Sequence, residues 1–150
     1  MSLIVGDVAP KFSLINYDKE VLDSDSLIGR KSLVVFMPYP FTGICDAEAC
    51  ELRDNNTDLE SLDAEVVIVT CHARPTNEAW VQSTNLPFPV LSDFWPHGKV
   101  SKEYGCFNEK IGVAMRYSYI LDDENKLLGI VNTEELGEAR TFEKYMDLLA

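Results

Sequence analysis

The sequence predicts an α/β fold, a central mixed sheet flanked by helices with a hairpin at its N-terminus. Three observations predict it. Ser32-Leu33-Val34-Val35-Phe36-Met37 and Glu65-Val66-Val67-Ile68-Val69-Thr70 are apolar runs of strand length, as expected of strands covered on both faces. Between them Cys45, Ala49, Leu52, Asn56 and Leu59 recur at helical spacing, giving a βαβ unit that needs parallel, right-handed pairing. Further on, Tyr117–Leu121 and Lys126–Val131 flank the turn residues Asp122-Asp123-Glu124-Asn125, which makes a second hairpin.

The remaining elements fall between these anchors. Phe12–Ile15 is a short strand, Asn16–Glu20 supplies a turn, and Val21-Leu22 resumes the extended pattern. Ser24–Ile28 makes one helical turn, stopped by Gly29. The helix after the first buried strand runs from about Ile44 to Leu62. Pro75–Gln82 is helical, with Pro at the start, where its missing N–H costs little. Phe88-Pro89-Val90-Leu91 is extended, but Pro87 and Pro89 make it an edge strand or a loop. Lys99–Tyr104 is a short helix closed by Gly105, and Glu138–Leu149 a terminal helix with Phe142, Tyr145, Met146 and Leu149 on one face. The order βαβ then ββα is thioredoxin-like. No repeat, linker or low-complexity tract divides residues 1–150, so one domain is expected.

Composition narrows the function. A chain of 150 residues with 46% hydrophobic and 25% charged content is globular. A net charge of −12 argues against nucleic acid or an anionic membrane as partner, since phosphate recognition needs clustered Lys and Arg. No apolar run spans a bilayer and no secretory signal is evident. Four cysteines without a CxxC pair fit neither a disulfide framework nor a zinc ribbon, so free thiols in a reducing cytoplasm are expected. His72 and His97 do not stand at metal-ligand spacing from them, and no metal or cofactor is expected.

The stretch that carries chemistry is Pro38-Tyr39-Pro40-Phe41-Thr42-Gly43-Ile44-Cys45. It reads strand, Pro-stiffened turn, helix, with Cys45 in the first helical turn. Helix N-termini carry unpaired N–H groups and a partial positive charge, and a thiol in that field ionises more easily. The same N–H groups can hold an oxygen-rich substrate. Position alone leaves a buried, inert Cys as an equal alternative.

Pro38-x-x-x-Thr42-x-x-Cys45 resembles the active-site motif of the peroxiredoxins, thiol-dependent peroxidases on a thioredoxin-like scaffold. With Phe88–Gly98 and Tyr104–Glu109, the chain is similar to the alkyl hydroperoxide reductase E group of actinobacterial peroxiredoxins. The resemblance implies that Cys45 attacks a peroxide and becomes a sulfenic acid. It implies that Thr42 reaches thiolate or peroxide, with a helix N-cap as its alternative role, and that Arg116 is the active-site Arg. Pro38 would shield the sulfur from water and shape the pocket. Glu48, one turn after Cys45, would hold Arg116 in place, or be an ordinary first-turn acid. Tyr39, Phe41 and Trp95 are left between pocket rim, dimer contact and core.

Cys45-x-x-x-x-Cys50 also resembles the bacterioferritin comigratory protein group, in which the second Cys resolves the first. In a regular helix the two Cα atoms stand roughly 8–9 Å apart, beyond the ~7 Å bridging limit, so resolution demands local unwinding. Cys50 therefore stands as a resolving Cys or a bystander, and Cys71 and Cys106 as small buried groups. The resemblance further implies a homodimer and reduction by an external thiol, a mycoredoxin-, glutaredoxin- or thioredoxin-like protein. A thiol-based redox sensor or chaperone on the same scaffold is the competing function.

Overall fold

The computed structural model describes residues 3–150; Met1 and Ser2 lie outside them. Strands β1 (Ser13–Asn16) and β2 (Val21–Asp23) form the N-terminal hairpin, followed by a 3-10 turn at Ser24–Leu27. Strand β3 (Lys31–Phe36) leads through the Pro-rich loop to α1 (Gly43–Asp54) and α2 (Asn56–Ser61), and β4 (Ala64–Thr70) returns parallel to β3. Then come α3 (Arg74–Thr84), β5 (Val90–Ser92), α4 (Lys99–Tyr104), a small hairpin of β6 (Phe107–Asn108) and β7 (Val113–Ala114), β8 (Tyr117–Leu121), β9 (Leu127–Asn132) and α5 (Phe142–Leu149). The main sheet has seven strands in the order β2-β1-β5-β4-β3-β8-β9.

Alternation along β3 builds two cores. Leu33, Val35 and Met37 face one side with Cys45, Ala49 and Leu52 of α1, Leu59 of α2, Trp80 of α3 and Leu149 of α5. Val34 and Phe36 face the other with Leu27, Tyr104 of α4 and Tyr119. The sheet is thus covered on both faces, which is why its central strands read as unbroken apolar runs.

Three boundaries differ from expectation. The helix predicted over 44–62 breaks at Asn55, whose backbone leaves the helical region (φ −105°, ψ 15°) while its side-chain amide bonds Glu51 O at 2.8 Å. The segment expected at an edge is interior, since β5 pairs with both β4 and β1. Its prolines stand just before the ladder begins, and Pro89 still accepts from Ile68 N at 3.0 Å. The terminal helix starts at Phe142 rather than Glu138, because the backbone and side chain of Arg140 are drawn inward. The β6–β7 hairpin carried no recognised strand pattern.

Candidate active site

Cys45 lies in the first turn of α1 and is fully buried, beneath the loop that joins β3 to the helix. Its Sγ meets two donors, Arg116 Nη1 at 3.1 Å and Tyr39 N at 3.4 Å. The loop is tied at every step. Thr42 Oγ1 donates to Tyr39 O at 2.7 Å, Phe41 N donates to Asp46 Oδ1 at 3.1 Å, and Trp80 Nε1 donates to the same oxygen at 2.6 Å. Phe41 takes a positive φ of 69° there, a conformation uncommon outside glycine. Pro38 is buried and Thr42 exposed. Thr42 holds the N-cap position of α1 without a side-chain cap bond, so its hydroxyl is spent on the loop and keeps its lone pairs.

Sheet register brings Arg116 to the sulfur. β8 runs antiparallel to β3 with Val35 opposite Ser118, so Arg116, two residues earlier, falls level with Met37 at the mouth of the loop. Its guanidinium is 3% exposed. Nε donates to Leu136 O at 3.0 Å, and Nη1 reaches Glu48 Oε1 at 2.7 Å as well as the sulfur. Glu48, one turn along α1 from Cys45, is itself buried.

A second arginine completes the cluster. Arg140 donates to Glu48 through its backbone N, Nε and Nη2 at 2.8–2.9 Å, and through Nη1 to Phe36 O and Ser118 Oγ. Burial pushes the Glu48 carboxyl up, but hydrogen bonds and charge from Arg140, with the charge of Arg116, outweigh it and hold the carboxyl below its ordinary value. Two guanidiniums around one carboxylate leave a surplus positive charge in the dry interior, which a thiolate at Cys45 would balance. Above the cluster, Tyr39, Thr42, Ile44, Arg116 and Leu136 line an open cleft of about 400 Å³.

The AhpC/TSA family matches residues 5–130. Alkyl hydroperoxide reductase E of Mycobacterium tuberculosis is 36% identical over 149 residues, 99% of this chain and 97% of that one. Peroxiredoxin Bcp of Escherichia coli is 30% identical over 131 residues, 83% of each chain. The chain belongs to the AhpC/TSA family of peroxiredoxins. Among solved structures, Mycobacterium tuberculosis AhpC superposes with a TM-score of 0.87 at 26% identity, covering 99% of this chain and 92% of that one. Enterococcus faecalis AhpC, at 22% identity, shares the fold with a TM-score of 0.88, covering 99% and 91%. The fold of this peroxiredoxin is thioredoxin-like, and the family makes it a thiol-dependent peroxidase.

Cys45, Thr42, Arg116, Pro38 and Glu48, singled out in the sequence, converge on this one site. Cys50 stays in α1, half-buried, and all four cysteines of the peroxiredoxin are free thiols. Cys71 and Cys106 sit in the opposite core, where burial pushes both thiols up. Phe41 and Trp95 are 51% and 83% exposed, so neither is a core residue. Arg140 went unrecognised: an Arg in a polar stretch before a helix carries no sign of burial. Asp46, whose Oδ1 accepts from Phe41 N and Trp80 Nε1, was likewise not singled out. Among the described residues no three His, Cys, Asp or Glu side chains cluster as metal ligands do, and no helix is long and apolar enough to cross a membrane.

Proposed function

We propose that Cys45 is the peroxidatic cysteine, reducing hydrogen peroxide and organic hydroperoxides. The observation that carries this reading is Arg116 Nη1 at 3.1 Å from Cys45 Sγ beneath the open cleft. The thiolate attacks one peroxide oxygen in line with the O–O bond. That bond breaks, the sulfur becomes a sulfenic acid, and the departing oxygen leaves as an alkoxide or hydroxide that takes a proton to become alcohol or water. Arg116 counters the developing charge. Its Nη2, from which no group accepts among the described residues, is free for the peroxide. Thr42 Oγ1, already donating to Tyr39 O, can accept from the peroxide O–H. Pro38 keeps water from the sulfur.

An external thiol, from a mycoredoxin-, glutaredoxin- or thioredoxin-like protein, then condenses with the sulfenic acid, releasing water and forming a mixed disulfide that a second thiol opens. A homodimer is proposed, with the exposed Phe41, Phe94 and Trp95 supplying apolar contact area.

Peroxide consumption with an added thiol reductant tests the proposal. Rapid turnover in the native chain and its loss in Cys45→Ser are expected. Slow oxidation with altered self-association supports the sensor reading instead.

A further inference from the structure

His72 lies just beyond β4, half-buried, on the far side of the active-site loop from Cys45. Its own backbone is fixed, with N donating to Thr70 Oγ1 at 3.2 Å and O accepting from Ser92 Oγ at 2.6 Å. The imidazole reaches back along the sheet: Nε2 stands 3.0 Å from Pro38 O, and the ring lies 6.2 Å from that of Tyr39. A carbonyl oxygen has no proton to give, so the proton in this contact sits on Nε2.

Pro38 O and Tyr39 N belong to one peptide unit. It is trans, since the cis bond is at Trp95-Pro96, and a planar trans peptide points its C=O and N–H in opposite directions. The oxygen end of this unit receives His72; the N–H end donates to Cys45 Sγ at 3.4 Å. A donor on the carbonyl fixes the plane of the peptide and draws electron density toward oxygen, which strengthens the N–H as a donor. Among the described residues, no other titratable side chain is joined to the sulfur through a single backbone unit.

We propose that His72 is a positioning residue for the peroxidatic sulfur, acting through the Pro38–Tyr39 peptide, whose N–H it aims and polarises toward Cys45. The inference rests on Cys45 being the attacking sulfur. His72 does not touch peroxide. It supplies the second donor to the sulfur indirectly, beside the direct contact from Arg116. Gln presents an amide N–H at nearly the reach of Nε2 and can replace the bond; Phe fills the space without a donor.

The test compares the second-order rate of hydrogen peroxide consumption by the native chain, His72→Phe, His72→Gln and Cys45→Ser, alongside the Tyr39 amide resonance in NMR spectra of the first three. His72→Phe is expected to react roughly five-fold more slowly, the size of one lost hydrogen bond, with the Tyr39 amide proton moved upfield. His72→Gln is expected to recover both. A His72→Phe rate equal to native, or equal slowing in Phe and Gln with an unmoved Tyr39 amide, overturns the inference. Peroxide consumption surviving in Cys45→Ser overturns the Cys45 reading and this inference with it. An inert Cys45→Ser beside an unaffected His72→Phe overturns this inference alone.

Discussion

Arg140 encloses the carboxylate of Glu48, its backbone N and Nε on Oε2 and its Nη2 on Oε1, all within 2.9 Å. So held, Glu48 presents Oε1 to Arg116 at 2.7 Å, and Arg116 in turn faces Cys45. The guanidinium beside the sulfur is thus aimed by an acid that a second cation immobilises. Arg140→Met should cost about 3–5 kcal/mol of stability, the usual penalty for breaking a buried ion pair. It should also slow peroxide reduction by about ten-fold or more, each 1.4 kcal/mol of lost transition-state stabilisation being a factor of ten. Arg140→Lys should recover only part of either, because an ammonium cannot make the forked contact. Urea unfolding and stopped-flow oxidation measure the two losses; native behaviour of Arg140→Met would refute the arrangement.

What the sequence disclosed follows from where its signals are local. The βαβ core announced itself through runs such as Val34–Phe36 and Val66–Val69, whose burial on both faces is written into composition. Cys45 and Thr42 share one short motif and were legible together. Arg140 was not, because its burial depends on meeting Glu48, 92 residues away. The interior place of β5 was hidden for a similar reason. Pro87 and Pro89 signalled an edge locally, while the pairing with β1 is a long-range event. Asn55 ends α1 through its own side chain, a local cue outweighed by the apolar period on either side.

Acid should release the cluster. The Glu48 carboxyl is held below its ordinary 4.5 in the folded chain, so the unfolded chain binds the proton first as pH falls. The stability it contributes is fully present above 4.5 and is lost as pH drops through the folded value. Asp93 runs the other way. Burial raises its carboxyl above 3.8 against the bonds from Ser101 and Val100, so its ionised form opposes folding. Glu48→Gln isolates the first effect. The stability gap between native chain and variant should be widest near neutrality and close as pH falls below 4.5. Urea unfolding at stepped pH reads it, and a gap independent of pH would contradict the buried ion cluster.

The four thiols should not behave alike. Cys71, 2% exposed, and Cys106, 3% exposed, are pushed up by burial, and the thiolate is the form that alkylates. Iodoacetamide should leave both unmodified in the native chain and label both in denaturant. Peptide mapping decides it. Rapid native labelling of either would mean that the core around α4 opens far more readily than its packing allows.

Cys50 stands on the same unbroken helix as Cys45, with Glu48 between them. A disulfide across this spacing needs the segment unwound. Unwinding withdraws Glu48 from Arg116 and Arg140, stranding two buried cations, so the cluster that serves the sulfur also resists its resolution by Cys50. One equivalent of peroxide without added thiol should therefore leave a gain of about 16 mass units, the sulfenic acid, rather than a loss of about 2 for a disulfide. Glu48→Gln loosens that restraint and should shift the balance toward the disulfide, while Cys50→Ser should turn over normally with an external thiol. A fast two-unit loss in the native chain, accompanied by loss of helical circular dichroism, would instead establish that α1 opens on oxidation and that Cys50 resolves Cys45.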